Sequence, residues 1–405
     1  MRSGRSEYRW ERHSGNGKSI MAEEGAGQQM DNGSMNNSSV TKAEITAKLD
    51  KVTDKLLRLQ RPDNEAELQD MGEDAERRGY FARDFGMEEW DWPQGVGLYG
   101  LQKLGRLFGD DRYREYASPW MQNQLKQGLP SRNINTTAPL LSLMELEEAE
   151  ELSLEWIRWL MQDLPRTKEQ GYQHVTTGAT KQELTLHENE IWIDTLFMAI
   201  LFTAKMGVKY DNAQWRETSL HQLLLHIKYL YDKKTGLFFH GWHFEGRHNF
   251  SEAFWCRGNG WFALGLPEYL ELMRPYIPDG VFTYLQQVLQ AQAEALLACQ
   301  SGGGLWHTLL DDPDSYTETS GSAAIAAGIL HSARKGLLPE DYAKPALRAI
   351  RAVMGRIDDE GTVLGVSGGT PIGVLKEDYK EILIAPMAYG QAMALVALGE
   401  ALYYC

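Results

Sequence analysis

At 405 residues and 43% hydrophobic, the chain is long enough to bury a large core. Its formal net charge of −15 would be repelled by duplex DNA or an anionic membrane surface, which argues against nucleic-acid and membrane partners. Three cysteines (Cys256, Cys299, Cys405) are too few and too scattered for a disulfide framework or a CxxC metal knuckle, and no run of about 18 apolar residues offers a membrane span.

Residues 1–40 are rich in Gly, Ser, Asn and Gln and nearly free of aliphatic side chains, a composition that predicts a disordered extension. Arg2, Arg5, Arg9, Arg12 and Lys18 are not followed by an apolar run, so an ordinary signal peptide is not indicated and a cytoplasmic location is expected. From Ala43 onward the apolar residues recur with helical spacing and almost no strand-like alternation. Small, aliphatic helices with little charge are expected at about 94–107, 138–149, 194–206, 260–274, 320–336 and 387–404. A more polar amphipathic helix precedes each, at about 42–59, 111–125, 152–163, 212–231, 281–299 and 340–356. Gly and Ala in the first set let helices crowd together, while charge on the second marks a solvated face. Six outer-plus-inner hairpins predict an all-α (α/α)6 barrel over residues 41–405, read as a single domain. An open solenoid of helical pairs has a similar periodicity. The apolar last helix favours closure. So do the loops ahead of the inner helices (88–94, 133–139, 187–194, 239–257, 306–319 and 365–373), whose convergence predicts one pocket.

Those loops carry the chemistry. Trp92, in Trp90-Asp91-Trp92-Pro93-Gln94-Gly95, either stacks on a sugar face or plugs the core; Pro93 opens a helix there and Gly95 permits close approach. Asn135 sits in the 133–139 loop. Asp194 reads either as a helix N-cap or as a general acid enclosed by aromatics such as Trp192. His187 either orients substrate or is structural. His240, His243 and His248 lie close in sequence, but their spacing lacks an HExxH or a carboxylate-framed pair, so contact with sugar hydroxyls or a uronate fits better than zinc. In FWCRGNGW, Trp255 and Arg257 project to the same side of an extended segment. Asn259 or Gly260 would then cap a helix starting near Trp261, with its free N–H groups reinforcing Arg257 as an anion site. Alternatively Arg257 bridges a loop carboxylate such as Asp194. Thr319 and Ser320 are expected to cap the next inner helix.

Four segments then carry a specific resemblance: EIWIDTLFMAILFTAKMG (190–207), TGLFFHGW (235–242), FWCRGNGWFALGL (254–266) and LWHTLLDDPDSYTETSGSAA (305–324). From about Trp90 to the C-terminus the chain resembles the unsaturated rhamnogalacturonyl hydrolases of glycoside hydrolase family 105, relatives of the unsaturated glucuronyl hydrolases of family 88. The resemblance implies an (α/α)6 barrel that removes a 4,5-unsaturated uronic acid from an oligosaccharide, without metal or cofactor. It places the catalytic acid/base on Asp194 and substrate contacts on His240, Trp255, Arg257 and Trp261. One departure stands out. The family's second pocket carboxylate is expected in the loop that here reads SRNINTTAPLLSL, which holds Asn133 and Asn135 and no acid. Two other readings fit a helical barrel. A sugar epimerase would use paired histidines, for which His307 and His331 are the only hints; a non-catalytic carbohydrate-binding barrel would have no need of Asp194.

Overall fold

The computed structural model describes residues 40–60, 73–109 and 111–405. The expected disordered extension therefore lies almost wholly outside the described residues. The helices run in chain order as α1 (Lys42–Leu57), α2 (Trp92–Phe108), α3 (Arg112–Gln127), α4 (Glu150–Gln162), α5 (Leu201–Lys209), α6 (Ala213–Leu230), α7 (Cys256–Met273), α8 (Asp279–Cys299), α9 (Thr319–Arg334), α10 (Ala343–Met354) and α11 (Ala388–Ala401).

Each inner element packs against the next, and the ring closes. Helix α2 meets the short turns Ile134–Thr137 and Leu140–Leu143, the first of which touches the π-helical turn Leu196–Ile200 that leads into α5. Helix α5 packs on α7, α7 on α9, α9 on α11, and α11 returns to α2. The sequence reading of an all-α (α/α)6 barrel is what the structure shows, and the open solenoid is set aside by the α11–α2 contact. Helix α11 has no polar face and is buried along nearly its whole length, as a helix surrounded by others must be. Helix α10, on the outer ring, buries only the stripe Ala343, Ala346, Ala349, Ile350 and Val353.

Small residues set how closely the inner helices approach. At the α2–α11 crossing a Cβ on Gly100 would stand 2.8 Å from that of Ala392, and at the α7–α9 crossing a Cβ on Gly328 would stand 2.1 Å from the Ala263 carbonyl oxygen. Backbone cannot yield there, so Gly328→Ala is expected to destabilise by about 1–3 kcal/mol in urea unfolding. Gly280, in the first turn of outer helix α8, meets nothing within 4 Å. Gly280→Ala is the matched control and should be neutral or mildly stabilising.

Two expected elements differ. The inner helix at 138–149 is split into two single turns, because Pro139 has no N–H to continue the ladder and Asn133 caps the first turn through Thr136 N at 2.9 Å. Strands were hardly expected, yet three short antiparallel pairs form: β1 (Val175–Thr177) with β2 (Leu184–Leu186), β3 (Glu190–Trp192) with β4 (Gly241–His243), and β5 (Trp306–His307) with β6 (Thr317–Glu318). They stiffen the loops ahead of the inner helices. Gly95 lets α2 approach closely, since a Cβ there would lie 2.5 Å from Pro139 N and from the Ala138 carbonyl carbon.

Candidate active site

The loop ends meet around a cavity of about 260 Å³ lined by Trp92, Asn135, His187, Asp194, Trp255 and Arg257 among others. Six of the eight residues singled out from the sequence thus share one surface. The other two, His240 and Trp261, are 2% and 0% exposed and lie behind Asp194. They are not among the residues that line the cavity, and they reach it through Asp194.

Asp194 follows β3 directly. β3 pairs with β4 so that Trp192 faces Gly241, and Ile193 N donates to the His240 carbonyl at 2.9 Å. This pairing brings the HGW segment beside Asp194. The Asp194 side chain caps nothing: the helical turn behind it starts at Leu196 and has no side-chain cap. Asp194 Oδ1 instead accepts from Trp261 Nε1 at 3.2 Å, and Oδ2 faces His240 Nε2 at 3.4 Å, outside hydrogen-bond geometry and with no other partner on either atom. The N-cap reading is therefore set aside. His240 Nδ1 meets the Tyr379 hydroxyl at 2.7 Å, and its ring lies over Trp255 with centroids 4.4 Å apart. Burial pushes the His240 pKa down, against the pull of Asp194. A neutral ring that takes the Tyr379 proton at Nδ1 turns Nε2–H towards the carboxylate. The π-helical turn Leu196–Ile200 directly behind Asp194 is a local departure of the kind that recurs at functional sites.

Arg257 is fully buried and heavily engaged. Its Nη1 donates to Ser367 Oγ at 2.6 Å and Ser367 O at 3.1 Å. Its Nη2 donates to Gly368 O at 2.8 Å and Thr370 Oγ1 at 2.9 Å. Nε is buried without a partner. The guanidinium lies 4.6 Å from the Trp255 ring and 4.8 Å from that of Tyr389, and its carboxylate partner is Glu318 at 3.8 Å rather than Asp194. Arg257 thus pins the 367–370 segment and presents one N–H and its charge. It sits in the first turn of α7, which begins at Cys256, not near Trp261. Asn259 is accordingly no cap: inside the helix its amide clamps both backbone groups of Phe238, at 2.9 Å each. Glu318, not Thr319 or Ser320, caps α9 by accepting from Ser320 N and Gly321 N.

Trp92 stacks on Tyr389 with centroids 4.5 Å apart and is partly open to the cavity. On the opposite wall Trp192 carries His174 flat on its ring at 4.2 Å and His187 at 4.4 Å. His174, fully buried with Nδ1 3.1 Å from Thr195 Oγ1, was not anticipated. The signal that could have found it is the apolar–polar alternation of HVTT against LTLH, the β1–β2 pair. Burial lowers the pKa of both rings, His187 to about 4. The imidazole resonances of His187 are therefore expected to show a neutral ring down to about pH 4. An unfolded histidine takes up a proton near 6.5. Between those values the unfolded chain binds more protons, so the contribution of His187 to stability is complete above about pH 6.5 and is lost as pH falls towards 4.

The remaining candidates separate. His243 and His248 stack on each other, centroids 5.4 Å apart, next to exposed chain, while His240 lies behind Asp194, so the three do not converge. His331 is in the last turn of α9, roughly 18 Å along the helix from its site end. There it lies between Glu271 and Glu400, and His307 Nδ1 faces the Ser315 carbonyl, so these two do not form the histidine pair that an epimerase would use. Three carboxyl residues missed in the sequence line the cavity: Glu76, Asp84 and Asp91.

A closed helical barrel whose loop end holds an aromatic-walled cavity with a poised carboxylate defines a carbohydrate-processing enzyme of the (α/α)6 class. The chain belongs to glycosyl hydrolase family 88, whose sequence profile matches residues 73–405. It is 32% identical over 329 residues (80% of this chain, 91% of the relative) to the unsaturated rhamnogalacturonyl hydrolase YesR of Bacillus subtilis. It is also similar to a solved structure described as a possible member of family GH105 from Salmonella enterica, with TM-score 0.82, 36% identity, and coverage of 91% of this chain and 96% of that one. The unsaturated glucuronyl hydrolase of Bacillus sp. GL1 shares the fold, with TM-score 0.62, 16% identity, and coverage of 88% of this chain and 95% of that one. The kinship drawn from the four motifs is borne out, and the protein is a glycoside hydrolase.

Proposed function

We propose that the enzyme releases a 4,5-unsaturated uronic acid, unsaturated galacturonate, from the non-reducing end of rhamnogalacturonan-derived oligosaccharides, and that residues 41–405 form a single (α/α)6-barrel catalytic domain. The observation that carries the reading is Asp194: one carboxylate, held by Trp261 and facing His240, at the wall of an aromatic cavity. Ordinary glycosidases set two carboxyls across the scissile bond. An unsaturated uronide is an enol ether conjugated to a carboxylate and needs one. Asp194 protonates C4, positive charge develops at C5, and water deprotonated by the same carboxylate adds there. The hemiketal opens and expels the remaining chain. Trp92 offers a stacking face, Trp255 lines the cavity while its ring backs His240 and Arg257, Arg257 draws the uronate by charge and its Nε–H, and His187 and Asn135 present polar atoms to the ring.

A neighbouring cavity of about 460 Å³ shares Phe81, Arg83, Asp91, Thr177 and Ala179 with the first and gives room for further sugar units. No metal or organic cofactor enters the scheme. The net charge of −15 supports a reading without nucleic-acid or membrane partners, and the expected location is the cytoplasm. Among the described residues no helix is long and apolar enough to cross a membrane.

Lyase-generated unsaturated disaccharides, galacturonyl-rhamnose beside glucuronyl substrates, test the reading by loss of the conjugated double bond's ultraviolet absorbance. Faster loss with galacturonyl-rhamnose is expected, and no loss with any uronide would sink it.

A further inference from the structure

A buried carboxyl oxygen needs a hydrogen-bond partner, and one in this cavity has none. Asp84 closes the turn Ala82–Asp84, is 2% exposed, and lines the cavity with Arg257 and Asp194. Its Oδ2 is enclosed and meets no donor of the protein. A second feature is independent of the first. Oδ2 lies against Gly369, where a Cβ would come within 2.6 Å of it, so only glycine leaves that oxygen its place. Gly369 belongs to the segment that Arg257 holds through Gly368 and Thr370.

The charged and titratable groups that face Asp84 are Arg83 from its own turn, Asp91 at the head of α2, Arg257 from α7 and Tyr389 from α11. Burial outweighs the two arginines and pushes the Asp84 carboxyl up to about 7. The neighbouring Arg257 has its four Nη hydrogens committed to Ser367, Gly368 and Thr370, so of its donors only Nε–H is left for a uronate drawn by its charge.

We propose that Asp84 is a substrate-binding residue whose carboxyl O–H donates a hydrogen bond to the carboxylate of the bound uronide beside Arg257. The inference rests on the uronide reading above. It gives a role to a further cavity carboxyl, on a segment far in sequence from the acid-free 131–143 loop. The bond is proton-balanced: the hydrogen shared between the two carboxyl groups is already on Asp84 in acid, and is taken from solvent when binding occurs above its pKa. Uronide binding is therefore coupled to uptake of one proton in alkaline solution, and binding weakens as pH rises.

The test uses the full chain and D-galacturonic acid, which carries the carboxylate and has no double bond to hydrate. Calorimetric titration at about pH 8 in buffers of different ionisation enthalpy should show uptake approaching one proton per sugar bound, with Kd rising about tenfold per pH unit above 7. Asp84→Asn donates through its amide without taking a proton, so its Kd should be nearly independent of pH between about 6 and 8. A wild-type enzyme that takes up no proton overturns the inference without need of any variant. So does an Asp84→Asn enzyme that keeps the wild-type pH dependence.

Activity on unsaturated disaccharides separates the two levels. An active enzyme without proton-linked galacturonate binding loses only the Asp84 assignment. An enzyme that neither binds galacturonate nor consumes any unsaturated uronide loses both.

Discussion

Asp194→Asn is expected to lower kcat on the best unsaturated disaccharide by about 10⁴-fold, the upper end of what one general acid/base contributes. The upper end applies because in the proposed cycle the same group acts twice, first giving the proton to C4 and then taking one from the attacking water. Of the other carboxyls on the cavity, Asp91 is committed to Trp92 N and Thr177 Oγ1, and Asp84 lies by Arg83 and Arg257. Asparagine has nearly the shape of aspartate and still offers an oxygen to Trp261 Nε1, so the fold and the cavity walls stay in place. KM should therefore change by less than about tenfold, the pattern of a group that acts in the transition state rather than in binding. His240→Gln, which alters the group facing Asp194 but leaves the carboxylate, should cost about 10²-fold or less. Loss of ultraviolet absorbance gives the rates and a thermal melt checks the fold. An Asp194→Asn enzyme within tenfold of wild type moves the acid/base role to another residue.

The parts of this molecule legible in the sequence are those written as composition along a helix. Inner helices declare themselves by Gly and Ala because backbone must approach backbone, as at Gly100–Ala392 and Gly328–Ala263. The same rule explains the misreading of Gly258-Asn259-Gly260. Two glycines around an asparagine have the look of a turn, yet a Cβ on Gly260 would lie 3.0 Å from the Ala324 Cβ, so the glycine serves helix contact within α7. Asp194, Trp255 and Arg257 were legible as residues but not as partners. Nothing local to Arg257 indicates that Ser367, Gly368 and Thr370, over a hundred positions on, would occupy its Nη donors. Asp84 was invisible for a different reason: it belongs to a three-residue turn, too short to show a period. His174 stands just ahead of a three-residue strand, whose brief alternation with its partner is the only local signal for it.

Glu318→Ala should destabilise the barrel by about 3–5 kcal/mol, the usual cost of removing one partner from a buried ion pair. The carboxylate is 0% exposed and serves three elements at once. Oε1 accepts from Ser320 Oγ at 2.8 Å, Ser320 N at 3.2 Å and Ser367 N at 3.1 Å, Oε2 accepts from Gly321 N at 2.6 Å, and Arg257 stands 3.8 Å away. Alanine leaves backbone N–H groups at the start of α9 without acceptors and leaves the Arg257 charge buried without its counter-ion. The solvent-exposed pair Arg274–Asp279, at 2.8 Å, is the contrast, and its loss should have little measurable effect. Glu318 does not line the cavity, so a fall in activity would travel through Arg257 and the 367–370 segment it holds. Urea unfolding measures the loss, and a double-mutant cycle with Arg257→Met separates its sources. If the stranded charge dominates, the double variant is less destabilised than the sum of the singles. If capping of α9 and the bond to Ser367 N dominate, the two changes add.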